Sequence, residues 1–357
     1  MTTPPTTPRE LARLRLVAQR LAHPTSNDPA EVVRWMTALQ AQDHDGVLTS
    51  VALRTTAGTR EAVEAALEDG RIVRSWPMRG TLHLVAAEDL PWMLDLLTPR
   101  VLTRAAARRA QLGIDGSVID RARRITVDLL TGGGRARRND LMTAWREGGI
   151  DTTEQRGYHL LWYLAQTGTV CLGPVRDGEQ LIVLVDEWIR HPRRPERTEA
   201  LGELATRYFR SHGPATARDF ARWTNLLAAD VRTALALARP HLARLELDGV
   251  EYFLDPRTPE LLDACRERVR GVFLLPGFDE FVLGYQDRSA ALPAEFARHV
   301  VPGGNGVFRP TVVSDGQVVG TWRRTGRGAR REVVATPFDV FPDGVAEAVP
   351  RVYATLP

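Results

Sequence analysis

The sequence predicts an α+β chain of three tandem units, each a group of short helices followed by an antiparallel strand pair. Three observations carry this. Asp248-Gly249 separates Leu245-Glu246-Leu247 from Val250-Glu251-Tyr252-Phe253, and an Asp-Gly pair between β-rich runs is the strongest short-range hairpin signal. Leu201, Leu204, Ala205, Tyr208 and Phe209 ahead of it share one helical face. The same order, helices then paired β-rich runs, occurs twice earlier in the chain. The repeat is one of supersecondary order, not of letters, and its order is that of a winged helix-turn-helix unit. Breaks near Gly113–Gly116 and His191–Glu196 divide the chain into 1–113, 114–194 and 195–357, the last with a β-rich C-terminal extension.

In the first unit, Arg9–Ala22 has Leu11, Leu14, Ala18 and Leu21 on one stripe. Asn27-Asp28-Pro29 supplies a cap and a first-turn proline for a second helix to about Leu39. Short helices over Val47–Arg54 and Arg60–Asp69 follow. Ile72–Trp76 and Thr81–Val85 are β-rich and joined by Pro77-Met78-Arg79-Gly80. In the second unit the expected helices are Ser117–Leu130, one capped by Asn139 and running to Glu147, and one capped by Thr152 and running to Gln166. Strands near Val170–Leu172 and Leu181–Val185 flank Asp177-Gly178. The third unit adds helices over Thr216–Trp223 and from Leu227 to Ala238 before its hairpin. Beyond Pro259 a helix to Val269 is expected, then strands at Val272–Leu275, Phe281–Leu283, Thr311–Val313, Val318–Trp322 and Glu332–Ala335. Asp315-Gly316 reads as a turn, and Pro302–Arg309 as a projecting loop or hairpin tip.

Composition narrows the function. At 357 residues, 43% hydrophobic and 25% charged, the chain suits a soluble protein of two or three domains. No apolar run is long enough to span a membrane. Met1–Arg9 has no apolar signal core, and Cys171 and Cys265 form no metal-spaced cluster, so a cytoplasmic protein is expected. No P-loop, HExxH, CxxC, EF-hand or GxSxG spacing occurs, so neither a metal nor a nucleotide cofactor is expected. The net charge is +3, yet all 47 basic residues are arginine. Arginine presents a planar fork suited to phosphate. Its clusters at Arg104/Arg108/Arg109, Arg121/Arg123/Arg124, Arg135/Arg137/Arg138, Arg193/Arg194/Arg197 and Arg323–Arg331 form local basic stripes. Such stripes favour a nucleic-acid partner.

The densest polar stretch against an apolar helix is Leu39-Gln40-Ala41-Gln42-Asp43-His44-Asp45. In a helix Gln40 and Gln42 would point about 200° apart; in an extended segment they share a side. A glutamine amide is no general base, but it can orient a water or pair with a base edge. Asp43, His44 and Asp45 offer acid/base chemistry or, equally, helix caps. Exposed amides at a helix end are the plain alternative for the whole stretch.

Three further segments carry a resemblance. They are Ser75-Trp76-Pro77-Met78-Arg79-Gly80-Thr81-Leu82-His83, Leu274-Leu275-Pro276-Gly277-Phe278-Asp279-Glu280-Phe281 with Leu283-Gly284-Tyr285, and Asp315-Gly316 through Gly320-Thr321-Trp322-Arg323. Together they resemble the AlkZ/YcaQ family of winged-helix DNA glycosylases over nearly the whole chain. The resemblance implies three tandem winged helices around a concave basic surface that holds duplex DNA. It implies a catalytic pair of polar residues flanking an apolar one, which maps onto Gln40-Ala41-Gln42. Glutamine at the second position is similar to the AlkZ branch, associated with bulky N7-alkylguanine, interstrand crosslinks and self-resistance in antibiotic producers. A β-hairpin that meets DNA would fall on Pro302–Arg309, with Asn305 and Arg309, or on the Arg323–Arg331 turn, with Arg323 and Arg324. Arg137 and Arg138 are further expected DNA contacts. Asp43, His44 and Asp45 then become supporting groups.

The expected activity is therefore hydrolysis of N7-alkylguanine from duplex DNA, without lyase chemistry, by a monomer. A winged-helix transcriptional regulator is the rival reading, but the chain carries three reading heads itself and shows no heptad or other dimer helix. A non-catalytic interaction scaffold is the third.

Overall fold

The computed structural model describes residues 7–304, 306–326 and 332–357; Asn305 and most of the Arg323–Arg331 turn lie outside them. The chain forms two compact units, Val63–Ala200 and Met1–Ala62 together with Leu201–Pro357.

In the Val63–Ala200 unit, helices Gly116–Leu130, Arg138–Glu147 and Arg156–Gln166 precede strands Val170–Arg176 and Glu179–Leu184, the expected order. Strands Thr81–Ala86, Ile72–Met78, Val170–Arg176 and Glu179–Leu184 lie side by side in that order, so two hairpins assigned to separate repeats share one sheet, joined at Arg74 and Leu172. The two-residue turn Asp177-Gly178 has positive φ at both positions, the conformation a tight hairpin needs. An isolated bridge, Ala136 to Ile182, ties the segment before the second helix to the last strand. The core gathers Trp145, Leu141, Leu160, Leu164 and Ile182. The Trp145 indole N–H is satisfied by Ala122 O at 3.2 Å and Thr126 Oγ1 at 3.0 Å.

The other unit repeats the pattern. Helices Arg197–His212, Ala217–Thr224 and Ala228–Ala238 precede the hairpin Ala243–Leu247/Val250–Leu254, with the corresponding isolated bridge from Ala215 to Phe253. Thr216 caps its helix through a reciprocal pair with Asp219. A four-stranded antiparallel sheet follows, ordered Glu332–Pro337, Gln317–Thr325, Thr311–Ser314, Val272–Leu275. Strand alternation assigns its two faces. Leu275, Val313 and Val318 pack with Leu16 and Val17 of helix Pro8–Ala18, while Leu274, Val312 and Trp322 pack with Val345 and Val349 of helix Val345–Ala354.

Several expectations are corrected. The second helix ends at Met36, not near Leu39, and Leu39–Gln40 is a short strand. Arg137, not Asn139, sits at the N-cap of Arg138–Glu147, its N–H bonded to Asp140. The helix expected from Thr152 begins at Arg156, because Asp151 accepts from the Thr153 N–H and holds a turn there. Phe281–Leu283 lies in a short helix, Glu280–Leu283, rather than a strand, because Asp279 caps it by accepting from the Phe281 N–H. The helix after Pro259 breaks at Cys265. Among its described residues Pro302–Arg309 has one 3-10 turn, Pro302–Gly304, and no strand, in keeping with the loop alternative of that expectation; Gln317–Thr325 pairs with Glu332–Pro337. Periodicity assigned nothing to 87–111, which folds as Leu90–Leu97, Pro99–Arg104 and Ala106–Gln111.

Trp145 is fully buried, so Trp145→Ala is expected to cost about 3–5 kcal/mol. Urea denaturation followed by circular dichroism checks this; a loss below about 1 kcal/mol would mean the core is not centred there.

Candidate active site

The stretch Gln40-Ala41-Gln42 takes its shape from the way the helix before it ends. Thr37 closes helix Pro29–Met36 with φ 67° and ψ −52°, and the Ala38 N–H reaches back to Met36 O at 2.8 Å. This is a positive-φ γ-turn, a strained conformation for a β-branched residue. Thr37 is buried and held there by packing. The chain leaves the turn extended, so Gln40 and Gln42 fall on one side, and Gln40 Nε2 donates to Gln42 Oε1 at 2.8 Å. Gln42 is exposed, whereas Gln40 is 7% exposed. Gln40 Oε1 is buried and meets no donor among the described residues. An orphaned buried acceptor costs about 1–3 kcal/mol and is open to a donor from a water or a ligand.

The residues beyond the pair divide by role. Asp43 caps helix His44–Ala52, accepting from the Gly46 N–H at 3.1 Å. Asp45 pairs with Arg60 at 2.6 Å. The Arg60 hydrogen bond, with Arg60, His44 and Arg324 as nearby positive charges, holds the Asp45 carboxyl below its ordinary value despite partial burial.

Beneath the pair lies a buried polar network that sequence reasoning missed. The Gln40 backbone N–H donates to Glu280 Oε1 at 3.1 Å. Glu280 Oε2 accepts from Trp223 Nε1 at 3.0 Å and lies 3.4 Å from His212 Nε2. Gln19 Nε2 donates to Glu280 O at 3.2 Å and to Tyr285 Oη at 3.0 Å, and the Tyr285 hydroxyl donates to His212 O at 2.7 Å. One residue earlier, Asp279 is gripped by both terminal nitrogens of Arg54, at 2.8 and 2.9 Å, and by the Ser50 hydroxyl. Arg54 Nη2 also reaches Gln19 Oε1 at 2.8 Å. Phe278 precedes these acids with φ 61°, turning the chain so that both carboxylates enter the interior. Gly284 is required here, since a Cβ would lie 2.7 Å from the His212 ring. The available signals were the adjacent acids within Leu274–Leu283 and a glutamine, Gln19, next to the apolar stripe of the first helix.

The expected DNA-contacting arginines are at the surface or partly so. Arg309, Arg323, Arg324 and Arg138 are exposed. Arg324 lies 5.9 Å from the centre of the Trp322 ring and Arg138 5.8 Å from that of Tyr158. Arg137 is half-buried and paired with Asp177. Asn305 lies outside the described residues. No cluster of metal-ligating side chains occurs among the described residues, and no helix there is long and apolar enough to cross a membrane.

An amide pair on an extended segment thus lies over a buried carboxylate, in a chain of repeated helix-hairpin units. The family described as "DNA glycosylase AlkZ-like" matches residues 33–355, and the chain belongs to it: its members are enzymes that act on DNA. The chain is 27% identical over 355 residues to an interstrand DNA cross-link repair glycosylase of Streptomyces sahachiroi, covering 92% of this chain and 90% of that one. The solved structure of Streptomyces sahachiroi DNA glycosylase AlkZ superposes with a TM-score of 0.81 at 26% identity, over 99% of this chain and 96% of that one.

Burial alone would push the Asp279 carboxyl up, but the Arg54 charge, with hydrogen bonds from Arg54, Ser50 and the Phe281 N–H, outweighs it and holds the carboxyl below its ordinary value. A carboxyl depressed on folding stabilises the native state above its unfolded pKa of about 3.9, and that contribution is lost as pH falls through the folded value. Arg54→Met, which leaves Asp279 buried and uncompensated, is expected to cost about 3–5 kcal/mol at neutral pH. Below about pH 4 the gap from wild type should narrow. Denaturation midpoints from pH 7 to pH 3 measure both; a gap that widens in acid would contradict the assignment.

Proposed function

We propose that this protein is a monofunctional DNA glycosylase that hydrolyses the N-glycosidic bond of N7-alkylated guanine in duplex DNA, bulky and interstrand-crosslinked adducts included. The observation that supports it best is the Gln40–Gln42 amide pair, coupled side chain to side chain and anchored through the Gln40 main chain. The relative that repairs interstrand cross-links supports the substrate class.

The chemistry suits such a site. Alkylation at N7 makes guanine cationic, so when the C1′–N9 bond breaks the electron pair leaves with a neutral base and no general acid is needed. The sugar is left as an oxocarbenium ion. Amide oxygens stabilise that cation and accept hydrogen bonds from the attacking water. The water oxygen bonds to C1′, and its proton passes to solvent. Oriented dipoles and positioning supply several kcal/mol, at about 1.4 kcal/mol per tenfold in rate. Gln42, exposed, meets the substrate side; the unpaired Gln40 Oε1 is an acceptor for the water. With no lysine in the chain, the usual Schiff-base amine is missing, and the product is an intact abasic site.

The repeated helices-then-hairpin order, with bridges Ala136–Ile182 and Ala215–Phe253, supports reading these as winged helix-turn-helix units within 1–113, 114–194 and 195–357. Their arginines hold phosphates. Arg323 and Arg324, on the strand that leads into the Gln317–Thr325/Glu332–Pro337 hairpin, are the proposed DNA contacts on that hairpin. Arg137, Arg138, Arg309 and Asn305 are the others.

The test is single-turnover release of free base from duplex DNA carrying N7-methylguanine. Wild type should release it and leave an uncut, alkali-labile strand. Gln40→Ala and Gln42→Ala should each lower the rate by about 100- to 1,000-fold with DNA affinity little changed. No release by wild type, or a β-eliminated strand as its product, would overturn the respective claim.

A further inference from the structure

We infer that Glu280 is a positioning residue for Gln40, so that the rate of glycosidic cleavage depends on a carboxylate that cannot itself reach DNA. The inference rests on the proposed role of Gln40 and extends it to a part of the chain 240 residues away.

Glu280 is 1% exposed, so it contacts neither sugar nor base. Its carboxylate gathers groups from at least three different segments. Oε1 takes the Gln40 backbone N–H at 3.1 Å, Oε2 takes the Trp223 indole N–H at 3.0 Å, and His212 Nε2 lies 3.4 Å from Oε2. The groups around the carboxylate are themselves fixed. The His212 ring stacks on Tyr208 with centroids 4.7 Å apart, and Trp223 packs against both rings at 5.0 and 5.2 Å. The Tyr208 hydroxyl donates to Gly284 O at 2.8 Å, at the end of the short helix that carries Glu280. Gln19 holds the Glu280 carbonyl. Each polar member therefore has a fixed partner, which is the condition under which a buried network rigidifies its surroundings.

What needs rigidity is the strand Leu39–Gln40, only two residues long and entered through the strained turn at Thr37. Two residues of strand pairing hold a backbone weakly. The Glu280 bond fixes the main chain at the very residue whose side chain carries the orphan acceptor. Displacement of a reacting group by about 1 Å costs on the order of 100-fold in rate, so the anchor matters to kcat more than to binding. The acid cannot be replaced by its amide. A glutamine at 280 accepts from Gln40 through one oxygen, but its NH₂ then faces the Trp223 N–H donor.

The experiment compares wild type, Glu280→Gln, Trp223→Phe, Gln40→Ala and the double variant Gln40→Ala/Glu280→Gln on the N7-methylguanine duplex. It reads single-turnover rate, DNA Kd and melting temperature. Glu280→Gln should lower the rate about 10- to 100-fold with Kd unchanged within about twofold. In the Gln40→Ala background the same change should lower it less than about threefold, since the residue through which it acts is gone. Trp223→Phe, which keeps the ring and removes one donor, should lower the rate about threefold or more. It decides the matter if Glu280→Gln does not fold. A folded Glu280→Gln or Trp223→Phe protein with wild-type rate would overturn the inference, as would a Glu280→Gln loss of equal size in both backgrounds. If wild type releases base and Gln40→Ala does not, such a result sinks this inference alone. If wild type releases nothing, or Gln40→Ala is fully active, the proposed function of the site fails and this inference with it.

Discussion

Burying a carboxylate is costly unless donors surround it, and here two consecutive carboxylates, Asp279 and Glu280, go inward together and find separate partners. Asp279 is matched by a bidentate arginine from helix His44–Ala52 and its following turn. Glu280 is matched by neutral and ring donors and by the Gln40 main chain. Phe278, with positive φ, turns the chain just before the two acids, and the helix that Asp279 caps begins at Glu280. Gln19 bridges the two halves, bonding Arg54 through its oxygen and the Glu280 carbonyl and Tyr285 hydroxyl through its nitrogen. Remove this knot and the Gln40 main chain loses its tie to Glu280, leaving packing and a two-residue strand to hold the segment before Asp43.

The same knot explains how a site built from amides can be exact in placement without being strongly ionised. Asp279 and Glu280 lie in the interior, each with donors around it. What reaches the surface is the Gln42 amide, with Gln40 buried beside it and keeping one unsatisfied acceptor. Such a site suits a substrate whose leaving group already carries the activating charge. Asp43 and Asp45, which in the sequence offer acid/base chemistry or helix caps, cap helix His44–Ala52 and tie it to Arg60.

Local chemistry was legible in the sequence; long-range pairing was not. The Asp248-Gly249, Asp177-Gly178 and Asp315-Gly316 turns sit where their residue types demand, all with positive φ. The cap at Asp28 formed as expected and Thr216, expected inside its helix, caps it, while Asn139 and Thr152 lost out to the neighbouring pairs Arg137/Asp140 and Asp151/Thr153. Phe281–Leu283 read as a strand because its residues are apolar and aromatic; a single side-chain cap from Asp279 overrode that propensity. Helix Leu90–Leu97 escaped because it is apolar nearly all round and so lacks a period. Gln40 and Gln42 could be singled out by their polarity, and the extended geometry that unites them followed from where the helix stopped. Nothing in the local letters, however, connects Gln40 to Glu280 or Arg54 to Asp279. Those pairs depend on the chain folding back over more than two hundred residues.

The claim at the centre is that the two amides are complementary to a sugar cation. The most direct measurement is the affinity for two duplexes that differ only at one abasic position, a cationic pyrrolidine in one and a neutral tetrahydrofuran in the other. Complementarity to the transition state predicts that wild type binds the pyrrolidine duplex at least about 100-fold more tightly, and that Gln40→Ala/Gln42→Ala abolishes the difference. Equal affinity of wild type for the two duplexes, or a preference that survives loss of both amides, would contradict the account.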